Sequence, residues 1–443
     1  MSATPRWTVG LFSFSLALIV TGCAGGSSSF PSASTNASTS QTSIVAAASL
    51  PRRAFTSQAA SAASAFVDSV GVNVHNGYYG TPYGDKPARI TALVAALGVH
   101  HLRDGTYPGQ TNLCTLDQAY AASGVYFDYI VSPAETDAQL SSWQSCTAPA
   151  AQTYEGYNEY DLSGDPNWVT VLQAAQQQIY AFGSGLGLPV VGPSLTTEAA
   201  YGEVGSVPAN TGNMHDYLSG HNPGSSGWGG NDQFGTYGSL AYFIAIARQT
   251  TGQAPMWSTE TGYGDAPSSL WYVPVQTKVH YELRTLFDQW NLGVPRTYLY
   301  ELVDEGGGDF GSYGLIDAET QPKPVFHALA GLLAHLAVKN STPASLDYAL
   351  TAGSTVDSTL LATRPGSFVL ALWEEVPEWD PTTSQAIAVS PVPVNLAFPT
   401  TPRSMSVTTF ALTGKPATTA ITPSTSVSLD VDGGVSLIDI TLR

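Results

Sequence analysis

The feature that most constrains the fold of this chain is a regular alternation of strand-like and helix-like segments across residues 66–337. Short β-branched or aromatic runs such as VGVNVHNGY, VYFDYIVS and PMWSTETG are each followed by a helical stretch such as KPARITALVAALGV. This alternation predicts parallel strands joined by helices. Eight such units over this length predict a (β/α)8 barrel, the TIM-barrel architecture, with a doubly wound open sheet as the structural alternative.

The remaining residues, 338–443, show no helical pattern. Their short runs, such as SFVLALWEE and VSLIDITL, are rich in β-branched residues and are separated by Gly, Pro, Asp or Ser. This pattern predicts a smaller C-terminal antiparallel β-sandwich packed on the barrel. An independent, mobile module is the alternative, and the short connection AVKNSTPA argues against it.

The first 23 residues predict export. Arg6 precedes the apolar run WTVGLFSFSLALIV, which is too short to span a bilayer comfortably and is followed by TGC. Residues 20–23, VTGC, resemble a bacterial lipobox. The resemblance implies that residues 1–23 are a lipoprotein signal peptide and that Cys23 becomes the lipid-carrying N-terminus at the bacterial cell envelope, on its periplasmic or its outer, extracellular side. An ordinary signal peptide with an incidental Cys23 is the alternative.

Residues 24–65 are rich in Ser, Ala and Thr and contain few aromatic residues. Such a segment cannot bury enough apolar area to offset the entropy of ordering it, so we expect a flexible, disordered tether. Beyond Cys23 only Cys114 and Cys146 remain, an even pair in an oxidising compartment. A disulfide between them is predicted, with two free buried thiols as the alternative.

Charge and motif content exclude several classes of function. The formal net charge of −18 argues against nucleic-acid binding, which needs a basic face. Only 11% of residues are charged, and the chain is rich in Ser, Thr, Gly and Tyr, as is typical of a secreted protein with neutral polar ligands. G-x-S-x-G, P-loop and H-E-x-x-H motifs do not occur, and the eight histidines show no ligand spacing, so no metal or cofactor is predicted. We expect a monomer.

Two glutamates stand at predicted strand ends. The fourth strand-like run, TYEGYNE, ends in Asn158 and Glu159, and the seventh, PMWSTETG, carries Glu260. Barrel active sites lie at the C-terminal ends of the strands. One glutamate there is as readily a surface or cap residue, but two, on the fourth and seventh strands, predict a catalytic carboxylate pair. Strand alternation places Glu155 deeper in the barrel, where we expect a structural role.

These motifs resemble those of a known enzyme group. EGYNEYD is similar to the fourth-strand motif of the retaining glycoside hydrolases of clan A, closest to family 39, and WSTETGYG to the seventh-strand motif that carries the nucleophile. The resemblance implies cleavage of O-glycosidic bonds by double displacement, with Glu260 as the nucleophile, Glu159 as the acid/base and Asn158 as a ligand of the sugar 2-hydroxyl. Tyr157 and Tyr160 depart from the pattern, which has tryptophan and proline there.

Further substrate contacts are expected around this pair. Arg103, at the end of the second strand, matches an arginine that holds the nucleophile ionised in such enzymes, although a plain structural ion pair is the alternative. His221, in SGHNP, ends the predicted sixth strand, and Tyr263 follows the nucleophile in a loop where it could stack on a sugar ring. The remaining candidates for contacts with sugar hydroxyl groups are Asn73, His75, Glu301 and Asp304.

The sequence therefore predicts a lipid-anchored retaining glycoside hydrolase that acts on an oligo- or polysaccharide, with transglycosylation as a variant of the same chemistry. A non-catalytic glycan-binding surface lipoprotein on a barrel scaffold is the alternative from another class. The presence of both carboxylates, Glu159 and Glu260, argues against it.

Overall fold

The computed structural model describes residues 55–443, apart from Ser225, Gly307 and Leu412. The predicted signal peptide, Cys23 and residues 24–54 of the predicted tether lie outside the described residues. Of the helices described, none is both long and apolar enough to cross a membrane.

The part of the described chain before residue 338 alternates strands with helices. Its strands are β1 (Thr56–Ala62), β2 (Val70–Asn73), β3 (His101–Gly105), β4 (Tyr126–Ile130), β5 (Ala151–Glu155), β6 (Val190–Val191), β7 (Gly212–His215), β8 (Asn231–Asp232), β9 (Gly235–Thr236), β10 (Met256–Thr261) and β11 (Thr297–Leu299). Its helices are α1 (Ala63–Asp68), α2 (Pro82–Asp85), α3 (Pro87–Leu97), α4 (Thr111–Ala122), α5 (Asp137–Thr147), α6 (Trp168–Leu186), α7 (Glu198–Val204), α8 (Leu240–Thr251), α9 (Val275–Asn291) and α10 (Pro324–Leu336).

Eight of these strands form a parallel barrel. Their order in the sheet is β6-β5-β4-β3-β2-β11-β10-β7. A parallel bridge between Val191 of β6 and Thr211, just before β7, joins the two edges. Because each crossover returns the chain to the same end, the C-terminal ends of all eight strands meet at one mouth. The predicted (β/α)8 barrel is confirmed.

The C-terminal part forms the predicted antiparallel β-domain. Its strands are β12 (Ala344–Thr351), β13 (Val356–Arg364), β14 (Ser367–Glu374), β15 (Trp379–Asp380), β16 (Gln385–Ala386), β17 (Val392–Ala397), β18 (Ser404–Phe410), β19 (Pro416–Ile421), β20 (Ser426–Val431) and β21 (Ser436–Thr441). The sheet order is β19-β18-β21-β14-β13-β1-β12-β17-β20. Leu346 and Leu396 from one half of this order share an apolar core with Leu370 and Ile438 from the other, so the sheet folds over itself as a sandwich.

Strand β1 corrects the predicted boundary of the tether, which was placed at residue 65. β1 lies inside the C-terminal sheet, antiparallel to β12 and parallel to β13, and residues 63–65 already belong to α1. Ala60 and Ala62 are buried there. Alanine and serine have low β-propensity, so the sequence of this segment shows no strand-like pattern. Pairing with its two neighbours stabilises the strand.

Helix α9 joins the barrel to the β-domain. Phe287 stacks on Phe66 with ring centroids 4.5 Å apart and on Trp373 of β14 at 5.5 Å. Arg284 donates from Nε to the carbonyl of Gly433. These contacts favour a fixed packing of the two parts, as the short connection suggested.

On the other side of the barrel, the structure bonds Cys114 of α4 to Cys146 of α5, with Cα atoms 5.8 Å apart.

Candidate active site

Arg103 is the centre of a hydrogen-bonded network at the barrel mouth. Its Nε and Nη2 donate to the two oxygens of Glu155 at 2.8 and 2.6 Å, and Nη2 also donates to Asn158 Oδ1 at 2.6 Å. Its Nη1 donates to Asn73 Oδ1 at 2.9 Å and to Glu260 Oε1 at 2.6 Å. A guanidinium has five N–H donors, and all five are used. Arg103 is therefore fixed, and its charge is directed at two carboxylates.

Glu260 ends β10 in a strongly polar environment. Its Oε1 accepts from Arg103, and its Oε2 accepts from the Tyr217 hydroxyl at 2.7 Å and lies 3.8 Å from His215 Nδ1. Burial alone raises the pKa of this carboxyl, but His215, Arg103 and the Tyr217 hydrogen bond outweigh burial and lower the pKa below its ordinary value. Glu260 is therefore ionised at neutral pH.

Glu159 reaches the mouth because the chain leaves the regular strand before it. β5 ends at Glu155, which is buried as the alternation predicted, and Asn158 makes an isolated parallel bridge with Ser194. Glu159 has a left-handed backbone with φ 47° and ψ 40°, an uncommon conformation for a residue with a side chain. Its N–H donates to the Ser194 carbonyl at 3.1 Å. This break in the pleat lets Asn158 contact Arg103 while Glu159 faces the opening.

The two carboxylates lie close together. One oxygen of Glu159 and one of Glu260 are within 4.8 Å of each other and of a ring nitrogen of His215. His215 Nδ1 is 2.9 Å from Glu159 Oε1. Burial lowers the pKa of His215, but the charge of Glu260 and the contact with Glu159 outweigh this effect and raise it. The side chain of Glu159 is 29% exposed and that of Glu260 is 10% exposed, so two carboxylates of unequal accessibility share one imidazole.

Two groups of side chains near the mouth, Glu159–His215–Glu260 and His75–Glu301–Glu305, have donor atoms close enough together for one ion. In the first, Arg103 and Tyr217 already donate to both oxygens of Glu260. Positive charge is thus supplied by the protein itself, and this donor set does not call for a metal. In the second, His75 Nδ1 already contacts the carboxylates of both glutamates.

The mouth opens into a cleft with two lobes that meet at Glu159. The smaller lobe, 450 Å³, is lined by the polar groups of Glu260, Arg103 and Asn158 together with the rings of Tyr78, Tyr107 and Tyr300. The larger lobe, 860 Å³, also borders Glu159. Tyr217 and Phe310 also border both lobes. The larger lobe is rich in aromatic side chains, namely Trp228, Phe234, Tyr237, Tyr242, Phe243 and Trp271.

Of the predicted sugar ligands on the first and eighth strands, His75 alone lines the cleft. Its Nδ1 lies 2.5 Å from Oε1 of Glu305, which borders the same lobe. Asn73 is buried, and its Nδ2 donates to the carbonyls of Thr259 and Leu299. Glu301 is 1% exposed, and burial, opposed by His75, raises its pKa to about 7. Asn73 and Glu301 are buried and contact protein groups beneath the cleft, and their contact with sugar stays a prediction.

His221 and Tyr263 are not among the side chains that line the two lobes. β7 ends at His215, and the positive φ angles of Ser219 and Gly220 turn the chain aside before His221. The His221 ring stacks on Trp228 at 4.8 Å, and Tyr263 is buried, donating its hydroxyl to the His221 carbonyl at 2.9 Å. The strand-end position predicted for His221 is occupied by His215.

Sequence reasoning missed His215 and Tyr217, which contact the carboxylate pair. Both lie in the run NMHDY, where a buried strand gives way to polar residues, and this was the available signal. β7 is shorter than predicted and ends at His215, whereas the resemblance favours the later His221.

The fold was compared with solved structures. A GH51 α-L-arabinofuranosidase from Thermotoga petrophila RKU-1 is 12% identical with a TM-score of 0.53, over 87% of this chain and 100% of that one. A glucosidase from Croceicoccus marinus is 12% identical with a TM-score of 0.51, over 85% of this chain and 95% of that one. No protein-family model matches the sequence, and neither does any curated protein. At these identities the likeness concerns the fold: the chain shares its barrel and β-domain with these two glycosidases.

Proposed function

We propose that this protein is a retaining glycoside hydrolase in which Glu260 is the nucleophile and Glu159 the acid/base. The observation that carries the proposal is a carboxylate pair within 4.8 Å whose members have different environments. Glu260 is held ionised by Arg103, Tyr217 and His215, whereas Glu159 lies partly exposed where the two lobes of the cleft meet.

The spacing supports double displacement. Carboxyl groups about 5–5.5 Å apart characterise retaining enzymes, whereas inverting enzymes need about 6.5–9.5 Å to admit a water molecule. In the first step Glu260 attacks the anomeric carbon, the glycosidic bond breaks, and Glu159 gives its proton to the leaving oxygen. In the second step Glu159 takes a proton from water, which attacks the same carbon and releases Glu260.

The side chains around the two carboxylates have different roles in this cycle. Arg103 and Tyr217 keep negative charge on Glu260, which an attacking carboxylate requires. His215, 2.9 Å from Glu159, can orient the acid/base. Asn158 binds Arg103 and Ser194 through its amide oxygen, so its N–H groups are the part that can donate to a sugar hydroxyl.

The two lobes suggest how the substrate lies. Glu260 borders the smaller lobe alone, so the sugar that becomes bonded to the enzyme belongs there, among polar groups. Glu159 borders both lobes, so the leaving group extends into the larger, aromatic lobe. Aromatic rings offer apolar faces for sugar rings, and a lobe of this size supports an oligo- or polysaccharide as substrate.

The location of the enzyme is part of the proposal. The lipobox-like VTGC supports attachment of lipid at Cys23, and the cell envelope is where an exported polysaccharide-cleaving enzyme would meet its substrate. The resemblance of EGYNEYD to the fourth-strand motif of family 39 supports assignment to that part of clan A.

The experiment compares glutamine variants on two aryl glycosides of the same sugar, one with a good leaving group and one with a poor one, chosen from a panel that the wild type cleaves. Glu260→Gln should lose at least about a thousandfold in kcat on both, because no nucleophile remains. Glu159→Gln should retain glycosylation with the good leaving group, which departs without a proton, and lose it with the poor one.

Glu203→Gln, an exposed glutamate on α7, is the matched control and should behave as the wild type. Full activity of Glu260→Gln would disprove the assignment. A wild-type protein that cleaves no member of the panel yet binds oligosaccharide would instead favour a non-catalytic glycan-binding protein.

A further inference from the structure

Three carboxylates meet where helix α9 contacts the β-domain. They belong to Asp288 on α9, Asp357 on β13 and Glu375, directly after β14. One oxygen from each lies within 4.8 Å of the other two. Three carboxylates at this separation repel one another strongly unless a cation or a proton lies among them.

Asp288 is the most buried member of the cluster, and one of its two carboxylate oxygens has no hydrogen-bond donor within the described chain. It is 6% exposed, and its Oδ2 is buried without any hydrogen-bond donor among residues 55–443 as described. Glu375 differs, because it accepts from Asn222 Nδ2 at 3.0 Å and from Trp373 Nε1 at 2.8 Å. A buried carboxylate oxygen with no donor carries a large desolvation cost, so the unpaired side of Asp288 points to a missing positive partner.

The nearest guanidinium is largely committed elsewhere. Arg284 Nη1 lies 3.5 Å from Glu375 Oε1, but the same residue donates to the carbonyls of Val376 and Gly433 and forms its closest ion pair with Glu378. Arg284 thus forms ion pairs with two carboxylates, Glu375 and Glu378, and Glu378 is also in contact with His280. The cluster is short of positive charge.

We propose that Asp288, Asp357 and Glu375 bind one divalent cation, with Ca²⁺ as the matching ion, which ties the barrel to the β-domain. All donors are carboxylate oxygens, the ligands that hard cations prefer. Ca²⁺–oxygen distances of about 2.3–2.6 Å place oxygens on a shared ion no more than about 5 Å apart, which fits the observed separation. Asp357 is exposed, so an ion can enter from solvent and water can complete its shell.

The test is thermal unfolding of the full chain at pH 7, first in EDTA and then with increasing CaCl2. The wild type should show a saturable rise of roughly 2–5 °C in the unfolding midpoint. Asp357→Asn, at the exposed rim, should lose most of this rise. Asp430→Asn, an exposed aspartate on β20, removes the same charge elsewhere in the β-domain and should keep it. The quantity compared is the change in unfolding midpoint that CaCl2 causes in each protein. The stability of a variant without CaCl2 therefore does not affect the comparison.

Calorimetric titration with CaCl2 should give one site per chain in the wild type and none in Asp357→Asn. A midpoint that ignores CaCl2 and rises only on acidification would overturn the proposal in favour of a proton shared between Asp288 and Glu375. An unchanged response in Asp357→Asn would also overturn it, because the ion would then bind elsewhere. Neither readout uses glycosidase activity, so the result is independent of the proposed function.

Discussion

At the scale of single residues, Arg103 and His215 set the difference between the two candidate catalytic carboxyls. Arg103 donates to Glu260 and is itself held by Glu155, so its charge cannot move away from the nucleophile. His215 lies between Glu159 and Glu260 and is shared by both. Fixed charges of this kind lower a carboxyl pKa even where burial would raise it.

Replacement of His215 tests this electrostatic role. Since the pKa of His215 is raised, its charge is present on the acid side of neutrality, where it lowers the pKa of Glu260. His215→Gln removes the charge, so the pKa of Glu260 should rise and the acid limb of the kcat/KM profile should move up by about one pH unit. The exposed His100→Gln is the control. An acid limb that stays in place would show that His215 does not set the ionisation of Glu260.

The expectation that functional residues lie at the C-terminal ends of the strands predicted five residues that the structure brings to one lobe of the cleft: Arg103, Asn158, Glu159, Glu260 and His75. It works because parallel strands must end at one mouth. It failed for His221 because strand length is set by the neighbours in the barrel, and β7 pairs with β10 only as far as His215. The position of a residue at a strand end also does not predict how deeply its side chain is buried. Asn73 and Glu301 lie at or just after strand ends but are buried.

At the scale of elements, the barrel strands were visible in the sequence and β1 was not. Barrel strands are buried on both faces and read as apolar runs, whereas β1 is a stretch of Thr, Ser, Gln and Ala that gains its structure from β12 and β13. The three-carboxylate cluster could not be predicted from the sequence for a related reason. The β13–β14 hairpin brings Asp357 and Glu375 close together, and Asp288, which is far from them in the sequence, joins them only where α9 packs on the β-domain.

A pair of identical substitutions at adjacent positions tests β1. Ala60 is 2% exposed and faces the core of the β-domain, whereas Ala59 faces solvent. Ala60→Asp buries an unpaired charge and should lower the free energy of unfolding by at least about 3 kcal/mol. Ala59→Asp should change it by no more than about 0.5 kcal/mol. Urea unfolding measures both. Equal, small effects would mean that this segment is the tether that its composition suggests.

At the scale of the whole molecule, acidic groups are abundant and several are buried. The formal net charge is −18. Asp104, Asp216, Glu282 and Glu301 are buried, and burial, only partly opposed by hydrogen bonds and nearby positive charges, raises the pKa of each to about 7. In the unfolded chain the same carboxyls return to ordinary values near 4. Glu260 and Asp380, whose pKa values are lowered, oppose this trend but are fewer.

Stability should therefore fall as the pH rises from about 4 to about 7. In this window the folded chain binds more protons than the unfolded chain, so raising the pH favours unfolding. The midpoint of thermal unfolding, measured in EDTA at constant ionic strength, should be higher at pH 5 than at pH 8. Glu282, whose two carboxylate oxygens lack a hydrogen-bond donor in the described part of the chain, provides the matched variant. Glu282→Gln should reduce the difference between the unfolding midpoints at pH 5 and at pH 8. The exposed Glu203→Gln should leave this difference unchanged. A midpoint that rises from pH 5 to pH 8 in the wild type would contradict the assignment of raised pKa values to these buried carboxyls.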